Sequence, residues 1–163
     1  MTDSFKEQLQ QIADDTKDRL EREKQHREER EKQFRENVKS AFQTADAFNN
    51  RVITPILTEF AADAPGVSEY KCEFNESDSQ PEFVHSCKLY DQRFAVSFLY
   101  WIAGSARICC GFGYAINGDE FKIESFDESD LDGRVDSWLR SNLLEKYKSF
   151  MDRTHHLNEP KDD

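Results

Sequence analysis

At 163 residues the chain has room for one globular domain and an extension. Charged residues make up 34% of it, too many for a uniformly packed globule, while 12% aromatic residues, mostly Phe, exceed what a disordered chain carries. The net charge of −11 is uneven: residues 1–62 hold 11 Lys/Arg against 13 Asp/Glu, and residues 63–163 hold 11 against 20, which disfavours nucleic acid and anionic membrane surfaces as partners.

The opening residues, MTDSFKEQLQQ, have neither the basic nor the apolar region of a secretory signal. The longest nearly unbroken apolar run, Phe94 to Gly104, falls short of a membrane span. The four cysteines lack the spacing of a disulfide framework. These features predict a soluble protein of the reducing cytoplasm.

Residues 3–53 contain no Pro and no Gly. Apolar residues recur there at steps of three and four: Phe5, Leu9, Ile12 and Leu20, then Phe34, Val38, Ala41, Phe42, Ala45, Phe48 and Val52. The run between them, residues 21–33, has no apolar side chain, but Glu23–Arg27, Glu28–Lys32 and Glu31–Arg35 carry the spacing of favourable helical ion pairs. A helix over Phe5–Val52 would be on the order of 70 Å long. Three arrangements suit it: a dimerising coiled coil, a solvated helix that packs only through its C-terminal half, or a hairpin folded back on itself. Pro55 is expected to end or kink the helix. Asp63-Ala64-Pro65-Gly66 then breaks the chain.

Strand-like runs follow at Val67–Asn75, Phe83–Tyr90, Arg93–Ile102, Ala106–Ile116 and Glu120–Phe126, with Asn117-Gly118 as the clearest hairpin signal. The third and fourth are apolar on both faces and predict the centre of the sheet. Short connections imply an antiparallel meander. A last helix is expected over Arg134–Asp152, with Val135, Trp138, Leu139, Leu143, Tyr147, Phe150 and Met151 on one face. The fold class is therefore α+β: a long charged N-terminal helix, a five-stranded antiparallel meander and a C-terminal amphipathic helix packed on the sheet. The expected division is a helical arm over residues 1–62, a sheet domain over 63–154 and a polar tail over 155–163.

Several constellations bear on function. Cys72 and Cys87 lie on consecutive strands and His85 shares the Cys87 face, so that with Cys109 or Cys110 they form a conceivable zinc set, although no paired-cysteine knuckle is present. The segment Glu128, Asp130, Asp132, Gly133 and Asp136 follows the start of a calcium loop, but Leu139 stands where the bidentate carboxylate belongs. The same residues also suit a helix N-terminus capped by Asp132. Arg107 on a central strand requires a partner, and with Tyr100, Trp101 and Tyr114 it outlines a pocket between the sheet and the last helix. No nucleophile constellation and no Gly-rich phosphate loop appear.

The expectation is a non-enzymatic adaptor or chaperone-like protein without a cofactor. It would dock a protein partner or itself, as a homodimer, through Phe5, Leu9, Ile12, Leu20, Phe34 and Val38. The alternative is a small-molecule-binding domain using the pocket around Arg107.

Overall fold

The stretch free of Pro and Gly forms one helix in the computed structural model, which describes residues 2–77, 80–113, 118–126 and 129–158. This helix, α1 (Thr2–Phe48), is unbroken through the charged run, which overturns the folded-back hairpin. Side chains one turn apart bridge along it. Gln10 and Gln11 donate to Asp14 and Asp15 at 3.0 Å, and Glu31 meets Arg35 at 3.9 Å as its spacing predicted. Glu23 pairs back to Arg19, also at 3.9 Å.

Pro55 does not end the helical stretch. The backbone widens into one π turn over Asn49–Ile53, in which the Thr54 amide donates to the Asn49 carbonyl five residues earlier. Helix α2 (Thr54–Asp63) then continues with Pro55 in its first turn. The reason is local: proline offers no amide hydrogen and its ring crowds the turn before it, and a widened turn relieves both. After α2 the chain reverses at Gly66, whose φ of 85° and position against the Tyr90 ring, 2.7 Å from where a Cβ would lie, leave room only for glycine.

Five strands follow: β1 (Val67–Ser77), β2 (Gln80–Leu89), β3 (Gln92–Tyr100), β4 (Ala106–Phe112) and β5 (Asp119–Ile123). They pair antiparallel in sequence order, the meander that the short connections imply. β3 is the middle strand, and β4 spans Ala106–Phe112, while residues 114–116 of the expected run to Ile116 lie outside the described residues. Asn117 of the hairpin signal lies outside the described residues. Helix α3 (Leu131–Asn158) starts earlier and runs longer than the expected Arg134–Asp152.

One register detail separates two of the cysteines. Cys72 pairs with His85 in the register that runs from Ser77 opposite Gln80, and Glu69, at φ 53°, then inserts an extra residue between Ser68 and Lys71, opposite Cys87.

The last turns of α1, the π turn, α2 and α3 cover one face of the sheet. Ala41, Ala45, Phe48, Ile53 and Leu57 meet Phe94, Val96, Phe98 and Ile108 from the strands, and Val135, Leu139 and Leu143 from α3, in one buried cluster. The chain divides into two units, residues 1–39 and residues 40–163, with the boundary inside α1. Among the described residues no helix is long and apolar enough to cross a membrane.

Candidate functional site

The first unit, residues 1–39, is helical from Thr2 onward. At about 100° per residue, Phe5, Leu9, Ile12, Leu20, Phe34 and Val38 fall within an arc of about 80°. Val38 is half-buried. The other five are large apolar side chains that remain 52–66% exposed. Removing one such side chain from water is worth about 1.5–3 kcal/mol, so the stripe holds a considerable unspent driving force for association.

In the second unit the expected pocket residues do not come together. Arg107 points from β4 to the open face of the sheet, where its guanidinium lies 5.5 Å from the Trp101 ring centroid. Tyr100 points the other way, 7% exposed in the core with its ring 4.8 Å from Phe126. Tyr114 lies outside the described residues. Phe48, Phe98, Tyr100 and Phe126 fill the space beneath the helices with edge and tilted ring contacts. The open face carries a broad cavity of about 700 Å³ over Ser86, walled by Lys71 with Glu73 at 2.8 Å and Lys88 with Glu69 at 3.0 Å. A smaller cleft of about 260 Å³ separates Gly111 and Phe112 of β4 from Lys146, Ser149 and Arg153 of α3. An apolar groove of about 340 Å³ runs between α2 and α3, past Phe60, Tyr147 and the 70%-exposed Leu144.

The acidic segment that opens α3 is drawn into arginine pairing. Asp132 accepts from the Arg51 guanidinium through both carboxylate oxygens, at 2.6 and 3.1 Å. Asp136 accepts from Arg140 at 2.8 Å, and Arg140 also reaches Glu59 at 2.9 Å. Asp130, not Asp132, stands immediately before the helix: its carbonyl accepts from the Arg134 amide, and its carboxylate occupies the space that a Cβ on Gly133 would take. Glu128 lies outside the described residues.

β1, β2 and the π turn together build a site around His85, of which the sequence reading had grouped Cys72, His85 and Cys87 but neither Asn49 nor Tyr70. His85 is 1% exposed, and burial pushes its pKa down to about 4. Its Nε2 lies 2.6 Å from Oδ1 of Asn49, the first residue of the π turn, and its Nδ1 lies 2.9 Å from the Tyr70 hydroxyl. An amide oxygen only accepts, so Nε2 carries the hydrogen and Nδ1 accepts from Tyr70. The Cys72 Sγ, 3.7 Å from the same Nε2, therefore faces a donor and not a base. Burial holds the Cys72 thiol above its ordinary pKa, with the Asn49 side chain acting in the opposite sense. The cluster is arranged to satisfy a neutral imidazole, not to generate a thiolate. Cys87 and Cys110 are pushed up to about 11 and about 12 by burial, and Cys109 is raised for the same reason. Among the described residues no group of three or more His, Cys, Asp or Glu is arranged to hold a metal ion. A period-two alternation puts His85 among Phe83, Cys87 and Leu89, and that was the available signal for its burial.

No family model, curated protein or solved structure matches this chain.

Proposed function

We propose that this is a non-enzymatic cytoplasmic adaptor or chaperone-like protein that associates through α1, with the acidic second unit offering a recognition surface. One observation carries the reading: five large apolar side chains on residues 5–34, each more than half exposed, share one face of a helix whose other faces are charged. A stripe of this kind is unfavourable in water and becomes favourable when another apolar stripe covers it. Four free thiols, none paired in a disulfide, suit a reducing compartment.

The test is the light-scattering mass of the full chain beside that of the Leu9→Asp/Ile12→Asp variant. The expected result is a multiple of the 19.1 kDa chain mass that collapses to a single chain in the variant. A shortened chain starting at Ser40 should also be monomeric. Single-chain mass for the unaltered protein at 100 µM, roughly the range where weak helical pairs form, would overturn self-association.

A further inference from the structure

We infer that the partner of the α1 stripe is a second copy of the same stripe, parallel and in register, wound on an 11-residue repeat. This rests on the reading that α1 is the association element.

The repeat emerges from where the apolar residues stand. Starting at Phe5 and stepping four, three and four residues, an 11-residue repeat visits 5, 9, 12, then 16, 20, 23, then 27, 31, 34, then 38. Those positions hold Phe5, Leu9, Ile12, Thr16, Leu20, Glu23, Arg27, Glu31, Phe34 and Val38. Every apolar residue of the first unit beyond Met1 falls on them except Ala13. A seven-residue repeat from the same start captures Phe5, Leu9 and Ile12 and then misses Leu20, Phe34 and Val38. An 11-residue repeat advances about 3.67 residues per turn, slightly more than the helix itself, and winds neighbouring helices with a shallow right-handed twist. The unbroken α1 retains that phase across the charged run.

Direction follows from what each position would face. In a parallel, in-register pair, Phe5, Leu9, Ile12, Leu20, Phe34 and Val38 each meet their own copy. Glu23, Arg27 and Glu31 meet their own copies as well, and because the successive layers alternate in sign, each Arg27 also has carboxylates of the partner one layer above and one below to offset that like-charge contact. The fully overlapped antiparallel pair, with Phe5 against Val38, sets Ile12 against Glu31, Leu20 against Glu23 and Thr16 against Arg27. That arrangement buries three charges on apolar or neutral neighbours and pairs none of them. The parallel pair keeps apolar layers on apolar layers and gathers the charges into one block where opposite signs neighbour each other.

The experiment is an inter-spin distance on the full chain. Gln8 and Arg35, both outside the stripe, are replaced one at a time, Gln8→Cys and Arg35→Cys, and labelled with a nitroxide. The exposed Cys72 and half-buried Cys109 are changed to Ser, leaving only the buried thiols. Helices packed roughly 10 Å apart in parallel place both label pairs within about 25 Å. The antiparallel pair sets position 8 across from 35 and separates like labels by about 40 Å along the axis. Short distances at both positions are expected. Distances near 40 Å overturn the inference while leaving association intact. An oligomeric mass with no dipolar coupling at either label also overturns it, because the arm is then not the contact. A single-chain mass overturns the association reading and this inference together.

Discussion

His85 sits at the meeting point of three elements, and its chemistry has a consequence for the molecule's response to pH. Tyr70 and Cys72 face it from β1, Asn49 faces it from the π turn, and Cys87 follows two residues on along β2. None of these brings a negative charge at neutral pH, so nothing offsets the cost of an imidazolium there. The pKa near 4 lies below the ordinary 6.5. Between those values the unfolded chain binds a proton that the folded chain refuses, so stability is full above about pH 6.5 and is lost as pH falls towards 4. The loss attributable to this one group is about 2 kcal/mol by pH 5. In urea unfolding at pH 7 and pH 5, the unaltered protein should therefore lose more stability than His85→Leu, although the variant starts lower because Asn49 and Tyr70 lose their partner. Equal losses in the two proteins would show that His85 is not held neutral.

The π turn decides which residues of the helical stretch face the sheet. Phe48 and Ile53 are both fully buried, five residues apart, and Asn49 between them turns inward to His85. A regular α-helix would bring one of these sets under the strands and swing the other away by roughly 100°. Deleting Asn50, which is exposed, should therefore shorten the wide turn to a regular one at the cost of the core contacts on one side of it. The expected loss is about 2–5 kcal/mol, comparable to truncating a large core side chain, and thermal unfolding would measure it. If stability is unchanged by the deletion, the wide turn does not set the register.

The same element marks the limit of what the sequence made legible. The runs holding Phe94–Tyr100 and Ala106–Phe112 disclosed the middle of the sheet, because a strand flanked by others on both edges can be apolar on both faces. Pro55 was read as an end or a kink because its local preferences are clear, and they do widen the turn before it, while which residues that turn aims at the sheet depends on packing that no local pattern reports. The bulge at Glu69 left a trace: Val67 and Tyr70 are three apart before Tyr70, Cys72 and Phe74 resume steps of two. Arg107 drew attention as a charge on a central strand, but the sheet has an open face and Arg107 points into it, over Trp101. The His85 cluster joins Tyr70 and Cys72 of β1 to Asn49 of the π turn, so it becomes visible only when that turn is placed against the sheet.

At the scale of the whole chain, the two units carry stability of different kinds. The buried core draws all of its residues from Ala41 onward, and the second unit also holds most of the negative charge, with 12 Lys/Arg against 22 Asp/Glu, while residues 1–39 hold 10 against 11. The helical segment from Thr2 to Lys39 is supported within its own unit by side-chain pairs worth about 0.2–0.5 kcal/mol each, and such a helix melts gradually. The sheet unit, with its many long-range contacts, should unfold in one cooperative step. Circular dichroism at 222 nm on the full chain should therefore show two processes, and a chain beginning at Ser40 should retain the cooperative one within a few degrees. The first process also reports on association. Helices that pair through their stripes gain stability with concentration, so a tenfold increase in protein should raise the midpoint of the arm's transition and leave that of the sheet unit in place. A midpoint indifferent to concentration would mean that each arm melts alone, and the exposed stripe would then need a different occupant.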